Sequence, residues 1–148
     1  PPEMTDPALA RFLAVAQGII DPGDPLSFAA YGTGKNLVAG GEPRDVLLQE
    51  VISDSIVPNS ATRALARAAS LQILAPVEEV NGLVSITGSA QGNLATGATG
   101  VMTQFEWMHG DEPAEHGELI FSAESREQYV EFFRSGLQEG RSRVLASP

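Results

Sequence analysis

The sequence predicts an α/β fold in which parallel strands present functional side chains at their carboxyl ends. Three observations carry that reading. The apolar-rich run Val46 to Ile52 has the pattern of a buried strand, and it ends in a polar turn carrying Asp54 before Pro58-Asn59 opens a helix. A second strand pattern, Gly100–Trp107, alternates Val101, Thr103, Phe105 and Trp107 against Met102, Gln104 and Glu106, and His116 follows it. The order is acid, then histidine, each one beyond a strand.

The totals fit one domain. A chain of 148 residues is long enough for a real core, and an apolar fraction of 43% with a mean hydropathy of −0.03 describes a globular, not a disordered, polypeptide. Lys plus Arg is 9 against 19 for Asp plus Glu, a formal charge of −10. Such a surface repels nucleic acid and anionic lipid head groups, and no basic cluster offsets it. The absence of cysteine excludes disulfides, thiol catalysis and cysteine-ligated zinc. No signal peptide and no apolar run of membrane-spanning length is recognisable. The opening Pro-Pro-Glu-Met is unlike a natural start, so a processed or truncated N-terminus is expected.

Taken in order, Asp6-Pro7 has the N-cap and first-turn proline of a helix start. Leu9, Phe12, Leu13, Ala16, Ile19 and Ile20 then recur at helical spacing and predict one apolar face. Asp21-Pro22-Gly23-Asp24-Pro25 stops that helix, and Asp24-Pro25 is placed to cap a short one through Leu26–Tyr31. Asp21 and Asp24 suit turn and cap duty better than calcium, whose six to eight oxygen ligands are not visible around them. Gly32-Thr33-Gly34 and Gly40-Gly41 punctuate a loop that holds Lys35, the only lysine, read as solvated. The alanine-rich stretch Asn59–Ser70 predicts a helix with Arg63 and Arg67 on one face.

Residues 71–100 are the least regular part and read as an insertion-like loop region. Leu71–Leu74 and Leu83–Ile86 suggest short extended pieces around Asn81-Gly82, a favoured hairpin turn. Gly88 to Gly100 is rich in glycine and threonine and reads as a long loop, a feature usually tied to function or motion. After the charged loop Met108 to Glu118, Ser122 caps a final helix with Tyr129, Phe133 and Leu137 at successive turns and Gly140 as its C-cap. The aromatic cluster Phe105, Trp107, Phe121, Tyr129, Phe132 and Phe133 is expected to be mostly core, with part of it available to line an acyl pocket.

Asp54 and His116 are the residues with chemistry to offer. In a Ser-His-Asp relay the acid fixes the imidazole tautomer and steadies its positive form, while the histidine takes and returns the proton. Both side chains must converge above the carboxyl ends of strands. The plainer reading makes Asp54 a turn former and His116 a solvated loop residue. Helix capping, however, suits Asn59 or Ser60 better than Asp54, which lies five residues before Asn59. His109 competes as the base; His116 is preferred because it immediately precedes the final helix. The two histidines with Glu106, Asp111, Glu112, Glu115 and Glu118 also raise a metal site, which no His-x-x-x-His spacing supports.

The nucleophile is missing. Gly-x-Ser-x-Gly is required at a strand–helix elbow, and Gly88-Ser89-Ala90-Gln91-Gly92 has its glycines at the wrong positions with no helix after it. Ser85 and Ser122 are no better placed.

With these residues in view, a resemblance emerges. Val-Leu-Leu-Gln, Asp54, Val57-Pro58-Asn59 and Ala61-Thr62 resemble the acid-bearing segment of bacterial lipase- and esterase-like α/β-hydrolases, and His116-Gly117 before an amphipathic helix resembles their histidine-bearing end. Phe12 to Ala30 is similar to the helix and turn that precede the acid strand in large members. The resemblance covers most of the chain but only the C-terminal part of that fold: the last parallel strands with flanking helices, lacking the nucleophile-bearing half. It implies Asp54 as triad acid and His116 as triad base, an ester substrate with an apolar acyl part, and no cofactor. It also implies a partner, either the missing N-terminal portion as a separate chain or a second copy, and no activity for residues 1–148 alone. Export in a bacterium is the family's habit. The rival expectation is a non-catalytic, hydrolase-like interaction domain that docks through the acidic loop 106–118.

Overall fold

The computed structural model describes residues 6–34, 38–108 and 112–146. Lys35 and His109, together with Asp111, lie outside them. The chain forms α1 (Pro7–Ile20), α2 (Pro25–Phe28), α3 (Ala30–Thr33), β1 (Val46–Val51), α4 (Asn59–Ala68), β2 (Gln72–Leu74), β3 (Ser85–Ile86), β4 (Ala90–Gln91), β5 (Gly100–Phe105), β6 (Trp107–Met108), β7 (Glu112–Pro113), α5 (Ala123–Glu139) and β8 (Arg143–Val144). Four of the strands make a parallel sheet in the order β1-β5-β2-β3. This is the predicted α/β class, with helices on both faces of parallel strands.

β1 and β5 pair along their whole length, from Val46 opposite Gly100 to Val51 opposite Phe105, so their carboxyl ends finish level. Side-chain alternation then sorts the two faces. Met102 packs with Ala66, Ala69 and Leu71 on the α4 side, joined by Val46 and Leu48, while Val101 packs with Leu74, Phe132 and Val144 on the α5 side, joined by Leu47. Gly100 is required where it stands, because a Cβ there would lie 2.4 Å from Leu94 Cδ1 and 3.2 Å from Leu71 Cδ2.

The expected pair of strands is thus extended by two more, and both come from residues 71–100, the segment read as insertion-like. Leu71, Ile73, Leu74, Val80, Ala90 and Ala98 are all buried. The Asn81-Gly82 turn forms, with Gly82 at φ 86° and the Leu83 amide donating to the Val80 carbonyl at 3.1 Å. It does not join a hairpin, because β2 and β3 run parallel. The turn closes a longer excursion that carries the chain back to start β3 in the same direction, as parallel pairing demands. Within the expected long loop, β4 pairs antiparallel with β8.

The apolar helix faces depart from expectation. No residue of α1 is buried, and Phe12, Val15, Ile19 and Ile20 are all well exposed. On α5 the inward face is polar: Ser125, Gln128, Glu131 and Ser135 are buried beside Phe132, whereas Val130, Phe133 and Leu137 face outward. The reason lies in the sheet residues opposite. Thr103 donates to Gln128 Oε1 at 3.0 Å, Gln49 donates to the same oxygen at 3.2 Å, and the Ser125 hydroxyl donates to Gln49 Oε1 at 3.2 Å. A polar sheet face selects a polar helix face, since each buried group needs a partner. The predicted aromatic core accordingly reduces to Phe105 and Phe132, with Trp107, Phe121 and Phe133 exposed.

Candidate functional site

Asp54 and His116 meet above the level ends of β1 and β5. Asp54 Oδ2 is 2.7 Å from His116 Nδ1, across 62 residues of sequence. The local sequence explains how each arrives. After β1 the chain turns sharply through Ser53, at φ 60°, and the other carboxylate oxygen of Asp54 accepts the amides of Ile56 at 2.8 Å and Val57 at 3.0 Å. Asp54 is therefore the turn former of the plainer reading and the histidine's partner at once. Helix capping falls to neither predicted residue: Pro58 holds the cap position, and the Asn59 side chain instead donates to the Val51 carbonyl at 2.6 Å, tying α4 to the end of β1.

His116 is brought in by a fold-back. β6 and β7 pair antiparallel, and the Ala114 amide then donates to the Glu106 carbonyl at 2.9 Å, returning the chain to the end of β5. Ala114 and Leu119 pack against Val51 and Phe105, the last residues of the two strands. One apolar contact on each side of His116 thus fixes its loop to the sheet beneath Asp54. Leu119 is held further by its carbonyl, which accepts the Ser125 hydroxyl at 2.7 Å. Sequence reasoning missed this clamp; its signal was two apolar residues flanking His116 in an otherwise charged loop.

The electrostatics follow from the contact. The hydrogen bond from His116, opposed by partial desolvation and aided by the Ile56 and Val57 amides, holds the Asp54 carboxyl down to about 2. Asp54 is thus ionised at neutral pH and can only accept, so the Nδ1 hydrogen lies between the pair. Nε2 is left with no bonding partner among the described residues. The imidazole is 40% exposed, while the Asp54 carboxylate is only 9% exposed.

A cavity of about 150 Å3 adjoins the dyad, lined by Leu48, Val51, Val57, Thr62 and Leu119 together with Asn59 and Glu50. No serine lines it. Glu50 is closed off from chemistry: its buried carboxylate takes Arg63 Nε at 3.1 Å and Gln104 Nε2 at 2.8 Å. Of the serines weighed from sequence, Ser122 is buried as the cap of α5 and its hydroxyl donates to Glu124 at 2.8 Å. Ser89 precedes β4 and Ser85 lies on β3, the far edge strand from β1. Among the described residues no group of three His, Asp or Glu side chains is arranged to hold a metal. No helix among them is long and apolar enough to cross a membrane.

Comparison with known proteins returns no match to any family profile, curated protein or solved structure.

Proposed function

We propose that this chain supplies the acid and the base of a Ser-His-Asp carboxylic ester hydrolase, the nucleophilic hydroxyl coming from other polypeptide. The observation that carries the reading is the 2.7 Å contact between Asp54 and His116 over the ends of two adjacent parallel strands. The dyad has the parts such a relay uses. An ionised acid on Nδ1 leaves Nε2 as the proton acceptor, facing away from Asp54. As a serine oxygen attacks the ester carbonyl, Nε2 takes the hydroxyl proton, and Asp54 stabilises the imidazolium without taking a proton itself. The proton then passes to the leaving alkoxide as the acyl–oxygen bond breaks. Water repeats the sequence on the acyl-enzyme and restores the serine.

The finer identification, the C-terminal portion of a lipase- or esterase-like α/β-hydrolase, rests on the acid-then-histidine order and on the placement of both residues at strand ends. By that reading the partner is the N-terminal portion of the hydrolase or a second copy, the substrate is an ester with an apolar acyl part, and residues 1–148 alone are inactive. A turn-forming aspartate in a surface ion pair accepts the same two amides, so what favours the relay is the place of the contact, over the level ends of β1 and β5 beside a cavity lined by Leu48, Val51, Val57 and Leu119. The test is hydrolysis of a p-nitrophenyl ester by the complete gene product. His116→Ala abolishes it and Asp54→Ala sharply reduces it if the relay operates. Unchanged rates in both variants favour the rival, an interaction domain docking through residues 106–118.

A further inference from the structure

We propose that Gln49 and Ser125 are positioning residues for His116. A directional polar rung between the sheet and α5 sets where the first turn of α5 stands, and through the Leu119 carbonyl it fixes the loop that carries the imidazole to Asp54. The proposal rests on the functional reading above for the use of that imidazole, not for its placement.

The rung spans β1 and β5. Gln49 stands opposite Thr103, and the next pair on the same face is Val51 opposite Phe105, against which Ala114 and Leu119 pack. The Gln49 amide donates to the Ser125 carbonyl at 3.1 Å and to Gln128 Oε1 at 3.2 Å, and Thr103 donates to the same Gln128 oxygen at 3.0 Å. Gln128 is tied in turn to the C-terminal segment, its own amide donating to the Leu145 carbonyl at 3.0 Å. The Ser125 hydroxyl links this rung to the histidine loop: it lies 3.2 Å from Gln49 Oε1 and 2.7 Å from the carbonyl of Leu119, three residues beyond His116. No buried side-chain nitrogen or oxygen among the described residues lacks a partner.

Two observations say that the rung serves position and not cohesion alone. First, α5 has an apolar stripe it could have buried. Val130, Phe133 and Leu137 stand exposed while Ser125, Gln128 and Ser135 are turned in. Apolar side chains of about the right size hold elements together and tolerate repacking, whereas a fully satisfied polar network specifies one arrangement. Second, the dyad sits where such precision is needed. The His116 imidazole is 40% exposed, its hydrogen bond among the described residues is the one to Asp54, and Ala114 and Leu119 anchor its loop to the strand ends. A drift of about 1 Å at Leu119 is enough to take Nδ1 out of hydrogen-bond range of the Asp54 carboxylate. Misplacement of that size at a reacting group costs about a hundredfold in rate.

Ring ¹⁵N spectra of His116 in residues 1–148, recorded with the ring neutral, test this without any substrate. In the parent chain the hydrogen is on Nδ1. Ser125→Ala removes the hydroxyl that holds Leu119 and leaves Gln49, Thr103 and Gln128 bonded to one another; Gln49→Leu removes the bonds from β1 to α5. In each, the released ring is expected to populate both neutral tautomers, and the Asp54 carboxyl midpoint to rise from about 2 toward 3.8 as the bond to His116 is lost. A third variant, Gln49→Leu with Thr103→Val and Gln128→Leu, makes the rung apolar. Replacing the partners together keeps the urea midpoint near that of the parent, yet the ring is released. Met102→Ala, on the opposite face of the sheet, lowers the urea midpoint and leaves the hydrogen on Nδ1. An Nδ1 that stays protonated in Ser125→Ala overturns the proposal, as does one that stays protonated above the apolar rung. Release in Met102→Ala overturns it too, because placement of the ring would then follow stability alone. If the apolar rung does not fold, Ser125→Ala decides by itself. Ester hydrolysis by the complete gene product is read separately, with kcat expected to fall about ten- to a hundredfold in Ser125→Ala and KM to change little. Ring release with undiminished hydrolysis keeps the positioning and removes the relay; an unmoved ring, with hydrolysis abolished by His116→Ala, removes the positioning and keeps the relay.

Discussion

Replacing Asp54 by asparagine isolates the relay from the turn. The side-chain oxygen that accepts the Ile56 and Val57 amides is retained, so the turn after β1 keeps both bonds. The oxygen 2.7 Å from His116 Nδ1 becomes an NH2 group. Two donors cannot face each other, so the imidazole shifts its hydrogen to Nε2 and accepts at Nδ1. In that tautomer the ring has no lone pair to offer a hydroxyl. The expected loss is about 10⁴-fold in kcat, the size seen when the acid of a serine relay is replaced by its amide, with KM little changed. Ester hydrolysis by the complete gene product measures the rate. ¹⁵N spectra of the His116 ring in residues 1–148 report the tautomer independently of any activity. Retention of a tenth or more of the parent kcat would refute the relay, as would an Nδ1 that stays protonated in Asp54→Asn.

Acid titration gives a second test. The Asp54 carboxyl is held down to about 2 from an ordinary 3.8, so its contribution to stability is fully present above 3.8 and is lost as pH falls toward 2. Urea midpoints between pH 5 and pH 2 are therefore expected to fall less steeply in Asp54→Asn than in the parent chain. Met102 is fully buried between β5 and α4, and Met102→Ala is expected to cost about 2–5 kcal/mol in urea unfolding. Gly100→Ala drives a Cβ against Leu94 and is expected to destabilise by about 1–3 kcal/mol, with Leu94→Ala restoring part of the loss.

The elements with the strongest local grammar were legible in the sequence. Asp6 caps α1 through the Ala8 amide at 2.8 Å, Ser122 caps α5, and Gly140 ends it in the left-handed region at φ 73°. β1 stood out as an apolar run, as strands of a parallel sheet do, and β5 by its alternation, although all six of its residues are buried. β2 and β3 lie where the extended pieces Leu71–Leu74 and Leu83–Ile86 were expected, but not as a hairpin, because their parallel sense depends on where β5 inserts. Asp54 and His116 were legible as strand-end residues. Their contact also needed the β6–β7 fold-back and the Ala114–Leu119 clamp, which are tertiary facts.

α5 shows why the apolar stripes misled, and what they report instead. Periodicity locates an apolar face but does not say what covers it. Gln49 and Thr103 commit the sheet to a polar partner, so α5 turns Gln128 and Ser125 inward and leaves Val130, Phe133 and Leu137 in solvent. The same distinction applies to α1, which has an apolar stripe and no buried residue. A stripe thus marks where apolar side chains lie and not which of them the fold buries, because the chemistry of the facing sheet decides which side of a helix turns inward.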